Sequence, residues 1–319
     1  MFNNKNVLVT GGNGMIGREL VILLLARGAR VTVADISEQT NLEGVEYKRV
    51  DLRFLDQCMD VCDGMDYIFN AVGIKGSPKM CAEQPADFMV PMLQFNTNMM
   101  AAAMKANVDW YLYTSSVGVY HPASILREDD VWKTFPSPND RFAGWAKRIG
   151  ELQAEAYAIQ YGNKNISIVR PANVYGKYDN FDPENAMVVP SLIRKGHENE
   201  VLEVWGDGSA VRDFIHAKDV ALGMIHAVEN KIVDPINLGS GDGISIRQIA
   251  EAVSTRFGKD IRWLTDKPTG DARRVFDMTR ANSLGFQASI TIKDGINDTI
   301  DWFLENKEII DKRFNAFRK

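Results

Sequence analysis

Residues 10–17 read T-G-G-N-G-M-I-G. Glycines 11, 14 and 17 satisfy a T-G-x-x-G-x-x-G spacing, and Gly12, Gly14 and Gly17 also satisfy G-x-G-x-x-G. Residues of this type and spacing hold phosphate. The missing Cβ atoms let the main chain approach a pyrophosphate, and a helix opening at Met15, Ile16 and Gly17 presents unpaired N–H groups with a partial positive charge. Glycine-rich turns are common by themselves, so the context decides. A β-branched run (residues 5–10, KNVLVT) precedes the turn, a helical stretch (residues 15–27) follows it, and Asp35 ends the next strand 18 residues past Gly17. That arrangement points to a dinucleotide. The Asp35 carboxylate can accept from the adenosine ribose hydroxyls and would repel a 2′-phosphate, which favours NAD(H) over NADP(H).

Other side chains could exchange protons, each with a plainer alternative. His121 has the right intrinsic pKa for the task, yet a single histidine in a polar loop serves equally well as a solvated residue. Lys75 and Cys81 lie in the loop after the fourth expected strand and are either specificity determinants or inert. Tyr120 is expected to pack beneath the pocket rather than react. The four histidines show no ligand spacing, and three cysteines cannot pair evenly, with Cys58 and Cys62 at helical spacing. No metal site is expected, and a reduced compartment is.

The elements that must position these groups alternate regularly. Strands are expected at residues 5–10, 30–35, 45–50, 66–70, 110–115 and 166–170, each short and apolar enough to be covered on both faces. Helices are expected at 15–27, 86–106 and 144–161. The last carries Trp145, Ile149, Leu152 and Ala156 in one stripe. Strand-helix alternation implies right-handed βαβ units, and hence an α/β fold: a doubly wound parallel Rossmann sheet with a smaller C-terminal substrate lobe. The dinucleotide domain is expected over residues 1–175 and 213–242, the lobe over 176–212 and 243–319. Residues 176–186, rich in Asp, Asn, Pro and Gly, read as an exposed loop. Past residue 176, strands are expected near 202–205 and 236–238 and helices near 217–229, 245–257 and 293–305.

Composition closes off other classes. Lys and Arg total 37 against 42 Asp and Glu, a net charge of −5 without a basic run, so no nucleic-acid footprint is expected. The apolar run at residues 21–26, continuous with Leu20, is far short of the roughly 18 residues that span a bilayer. The chain runs straight into a strand without a signal-peptide pattern, which makes a cytoplasmic protein the expectation.

Further segments resemble the extended short-chain dehydrogenase/reductase family of nucleotide-sugar epimerases, dehydratases and reductases. They are Asp51-Leu52, Asn70-Ala71-Val72-Gly73, Asn98, Ser115-Ser116-Val117-Gly118-Val119-Tyr120, Lys147, RPANVYG at residues 170–176 and Arg212-Asp213-Phe214. Within the family, residues 85–88, 178–190 and Val204-Trp205-Gly206 look most like the GDP-L-fucose synthase branch. The resemblance implies that Gly11, Gly14, Met15, Ile16, Gly17, Asp35, Asp51, Leu52, Asn70, Ala71, Val72, Asn98, Lys147, Pro171 and Val174 hold NAD. It implies that Ser116, Asn173, Met187, Val188, Trp205, Arg212 and Arg273 (or its neighbour Arg274) hold a nucleotide sugar, with the arginines on its diphosphate. Trp205 could equally be a core residue, and the arginines could be surface ion-pair partners.

Catalysis in the family, by the same resemblance, uses a Ser, a Tyr and a Lys. Ser116 aligns with the Ser and Lys147 with the Lys. The Tyr position, four residues before Lys147, is Ala143. The Cys and His with which the fucose-synthase branch epimerises appear here as Gly118 and Met187, and that branch uses NADPH where Asp35 argues for NAD. The resemblance therefore implies a relative with altered chemistry, or a protein that keeps both pockets without catalysis. It also implies a homodimer through a four-helix bundle of the two long helices. The methionines at 89, 92, 99, 100 and 104 read as helix packing.

Overall fold

A computed structural model describes residues 1–310 apart from Ser77, Asn163, Pro268 and Thr269, so 311–319 of the expected lobe lie outside the described residues. The first part of the chain contains β1 (Asn6–Thr10), α1 (Met15–Leu25), β2 (Arg30–Asp35), β3 (Glu46–Arg49), α2 (Leu55–Cys62), β4 (Tyr67–Asn70), α3 (Pro78–Glu83), α4 (Pro85–Ala106), β5 (Trp110–Thr114), β6 (Ile125–Leu126), α5 (Arg141–Tyr161) and β7 (Ile166–Pro171). It continues with β8 (Asn173–Tyr175), α6 (Val188–Glu198), β9 (Val201–Trp205), β10 (Val211–His216), α7 (Ala217–Glu229), β11 (Ile236–Leu238), β12 (Gly243–Ser245), α8 (Ile246–Phe257), β13 (Asp260–Leu264), β14 (Arg273–Phe276), α9 (Thr279–Ser283), α10 (Ile292–Glu305) and α11 (Lys307–Ile310).

Seven strands form one sheet in the order β11-β7-β5-β4-β1-β2-β3, and every pairing in it is parallel. Alternation along each strand feeds two cores. Val7, Val9, Phe69 and Leu112 join α1 and α7 on one face, while Leu8, Ile68, Tyr111 and Tyr113 join α2, α4 and α5 on the other. Strand order reverses at β1, between β4 and β2, and the loops at the carboxyl ends of β1 and β4 meet there. That crevice is where open α/β sheets bind ligands.

Beyond the sheet, β12-β10-β14-β6 with β8, and the pair β13-β9, carry a third core of Phe181, Val189, Leu192, Ile193, Ile249, Val253, Ile296, Ile300 and Phe303. Loop 176–187 corrects one expectation. It is folded inward rather than exposed, because Phe181 enters this third core and Asp179, Asp182 and Asn185 are buried. Asp179 accepts from Lys75 Nζ at 2.6 Å, and Asn180 and Asp182 close local turns onto main-chain N–H groups. Among the described residues, no helix is long and apolar enough to cross a membrane.

Candidate active site

The turn after β1 is built by close approach. Gly11 has φ +67°, and a Cβ there would sit 2.8 Å from Val72 Cα. A Cβ on Gly17 would lie 2.2 Å from Gly11 O, so α1 can lean on the turn only if residue 17 has no side chain. Gly14 caps α1 in extended conformation without a side-chain hydrogen bond, and the first turn holds no acidic residue. A glycine-walled cradle ending in an uncapped helix start fits a pyrophosphate. Met15 and Ile16 open that helix. Below it, Thr10 Oγ1 donates to Asn70 Oδ1 (2.7 Å) and accepts from Val72 N (3.3 Å), which ties the loop of Asn70, Ala71 and Val72 to the turn.

On the outer rim, the Asp35 carboxylate accepts from Asn13 N (3.1 Å), Ser37 N (3.0 Å) and Ser37 Oγ (2.8 Å). These bonds fix its orientation at the end of β2. Asp51 is held below the usual carboxylate range by its hydrogen bonds from Arg53. Asn98 Nδ2 donates to Arg53 O at 2.9 Å, so α4 steadies the Asp51-Leu52 segment. Pro171 ends β7, and Val174 pairs with Ile215 in the β8–β10 ladder.

Ser116 follows β5, and its Oγ accepts from Gly118 N at 3.1 Å. Lys147 is on α5, 7% exposed, with Nζ donating to Thr114 O at 2.8 Å. Burial pushes its pKa down to about 8, against an opposing influence from Glu151 one turn later. Beneath lies a buried network. Glu151 accepts from Ser115 Oγ (2.5 Å) and from Arg170 Nε (2.9 Å) and Nη2 (2.7 Å). Arg170 Nη1 donates to Tyr120 OH (3.1 Å), which in turn donates to Asn237 Oδ1 (2.5 Å). Tyr120 is thus buried within this network. Ala143 is half-buried and packs against the α2–α4–α5 core, offering no polar atom of its own side chain.

The substrate-side residues divide. β10 and β14 run parallel with Arg212 opposite Arg274. Arg274 is 11% exposed; its Nη1 donates to Asp140 Oδ2 (2.7 Å) and lies 3.6 Å from Asp271 Oδ2, and its Nη2 donates to Val117 O (3.1 Å), one residue past Ser116. Its buried Nε has no hydrogen-bond partner, a deficit that generally costs about 1–3 kcal/mol and that an anion could repair. Arg273, the neighbour chosen from sequence, is exposed and has its guanidinium beside Gly243; side chains alternate along a strand, so the structure brings Arg274 rather than Arg273 to Ser116. Asn173 Nδ2 donates to Asp213 O at 2.8 Å. Met187 caps α6 and Val188 begins it, both half-buried. Trp205, at the end of β9, is 54% exposed and therefore not a core residue.

His121 is exposed, with Nδ1 3.2 Å from Phe135 O, and no bond joins it to Ser116 or Lys147. Burial, with a smaller effect of the Asp140 charge, pushes the Cys81 thiol up to about 11, so Cys81 stays protonated at neutral pH. Asp140, not singled out from sequence, is a carboxylate immediately before α5 and one turn ahead of Ala143.

The profile of the NAD-dependent epimerase/dehydratase family matches residues 7–239. GDP-L-fucose synthase 1 of Arabidopsis thaliana is 30% identical over 95% of this chain and 94% of its own length. GDP-L-fucose synthase of Escherichia coli (strain K12) is 28% identical over 96% and 98%. Among solved structures, an epimerase of Methanothermobacter thermautotrophicus superposes with TM-score 0.85 at 23% identity, over 98% of this chain and 95% of that one.

Proposed function

The chain belongs to the NAD-dependent epimerase/dehydratase family, and on that premise we propose that it binds NAD in the Gly11–Gly17 cradle and acts on a nucleotide sugar, GDP-linked, by oxidation or reduction at sugar C4. A bound nicotinamide supplies the two-electron acceptor or donor. The glycine cradle and α1 hold its pyrophosphate, and Asp35, already oriented by Asn13 and Ser37, accepts from a ribose hydroxyl and disfavours a 2′-phosphate. Lys147 anchors the second ribose, and Ser116 Oγ orients the sugar C4 oxygen.

The observation that carries the substrate class is the Arg212–Arg274 pair. Two guanidinium groups at one register position, one with a buried unused N–H beside the Ser116 loop, match a diphosphate, which takes planar multidentate donors. The chain's likeness to GDP-L-fucose synthases along nearly their whole length supports the GDP reading. The cysteines, free with Cys58 and Cys62 thiols pushed up to about 12 by burial, suit a reducing, cytoplasmic setting.

Calorimetric titration with NAD and NADP, followed by a panel of GDP-, UDP- and CDP-sugars with absorbance of the reduced cofactor as readout, tests this. NAD binding at least tenfold tighter than NADP and turnover confined to GDP-sugars is expected. Dominant NADP binding would reverse the reading of Asp35. Ala143 favours one second reading, a non-catalytic binding protein, whose signature is tight binding of both ligands with no turnover.

A further inference from the structure

We propose that Asp140 is the acid–base residue of this site in place of the absent phenol, and that Arg274 holds its carboxylate until a substrate diphosphate engages the guanidinium. The proposal rests on the reading of the site as one for a nucleotide sugar. Asp140 immediately precedes α5, one helical turn before Ala143, so it stands on the same side of the helix. It also reaches the Ser116 loop. A Cβ built on Gly118 would lie 3.6 Å from Ser116 Oγ and 3.7 Å from Asp140 Cγ. The two polar groups therefore flank the space that a side chain at 118 would enter, and glycine leaves that space open. A sugar hydroxyl entering that space would meet the Ser116 hydroxyl on one side and the Asp140 carboxylate on the other.

Arg274 gives the carboxylate its control. Its Nη1 donates to Asp140 Oδ2 at 2.7 Å, its Nη2 to Val117 O at 3.1 Å, and its Nε is buried without a partner. An arriving diphosphate satisfies the idle Nε and draws the fork away from Asp140. Among the described residues, Arg212 and Asp271 flank Arg274, Arg141 and Arg273 adjoin the pair in the chain, and Cys81 senses the Asp140 charge. In the oxidative direction the sugar O–H bond breaks and its proton passes to the Asp140 carboxylate. The electron pair left on oxygen closes the C4 carbonyl, while the C4 hydrogen leaves with its bonding pair to an oxidised nicotinamide dinucleotide. Reduction returns the same proton.

Four proteins test this: the parent chain, Asp140→Asn, Ala143→Tyr and the double variant. Each is followed by thermal melting, calorimetric binding of GDP, UDP and CDP, and turnover of the panel of GDP-sugars. Asp140→Asn should melt near the parent and bind GDP as tightly or a few-fold tighter, because the competing carboxylate charge is gone. Its turnover should fall at least 100-fold, and adding Ala143→Tyr should restore at least tenfold of that. Turnover of Asp140→Asn within threefold of the parent overturns the proposal. So does a loss matched by weaker GDP binding or a collapsed melting point, which would mark Asp140 as structural. A parent chain that binds GDP but never turns over also overturns it. A parent chain that binds no GDP, UDP or CDP at all instead removes the nucleotide-sugar reading, and this proposal falls with it.

Discussion

Glu151 and Arg170 are both almost fully buried, and each is the other's main reason for being tolerated there. Removing one partner strands a desolvated charge, which typically costs about 3–5 kcal/mol, whereas an apolar pair of similar volume can be nearly neutral. Glu151→Ala should therefore lose about 3–5 kcal/mol in urea unfolding, and Glu151→Leu combined with Arg170→Met should recover most of it. Full loss in the double variant would mean that Ser115 and Tyr120, rather than the charge, need these side chains. Lys147 gives a pH signature. Burial lowers its pKa to about 8 in the folded protein from the ordinary lysine value of 10.5, so between those values the unfolded chain binds one more proton. Stability contributed at this site consequently rises with pH through that window and is lost as pH falls through 8. The difference between parent and Lys147→Met unfolding free energies should climb between pH 8 and 10, by at most about 3 kcal/mol. A flat difference would place the ammonium in water.

At the scale of elements, the β1–α1 turn combines packing and ligand cradle in one feature. Gly17→Ala would drive a Cβ into Gly11 O, and overpacking of this kind costs about 1–3 kcal/mol. It should also weaken NAD binding at least tenfold, since α1 must move off the turn; unchanged affinity by calorimetry would show that the helix start does not hold the ligand. This unit was legible in the sequence because its strands are apolar runs and its glycines keep fixed spacing. The two long helices and the strands of the large sheet followed from the same alternation, whereas the strand order did not. Less legible was what α5 buries. Its inward residues are Gly144, Ala146, Lys147, Arg148, Gly150, Glu151 and Ala154, small or charged, because Tyr113 OH occupies the space at Gly150 and the charged groups bond to main chain and to Arg170. No apolar periodicity marks such a face. Strands β8, β10, β12 and β14 were likewise unreadable, being three to six residues long, and without β14 nothing could choose between Arg273 and Arg274.

The whole molecule is left with an apolar surface that its own fold does not cover. Ile149, Leu152, Ala156 and Ile159 recur at helical spacing on the outer face of α5, with Leu152 47% and Ile159 78% exposed, and Val90 is similarly exposed on α4. α4 and α5 are held together from within, Gln153 Nε2 donating to Thr97 O at 3.0 Å, so the pair presents one firm face. A continuous exposed apolar stripe is typical of association surfaces, and two-fold symmetry is the commonest way to bury one. Pairing this face with its copy would make a four-helix bundle, the dimer proposed from the family resemblance. Ile149→Glu with Leu152→Glu places like charges across the axis without touching the inward face that carries Lys147 and Glu151. In sedimentation velocity at micromolar concentration the parent should run as a dimer and the double variant as a folded monomer that still binds NAD. A parent that sediments as a monomer at the highest soluble concentration would leave the stripe unpartnered and remove the bundle.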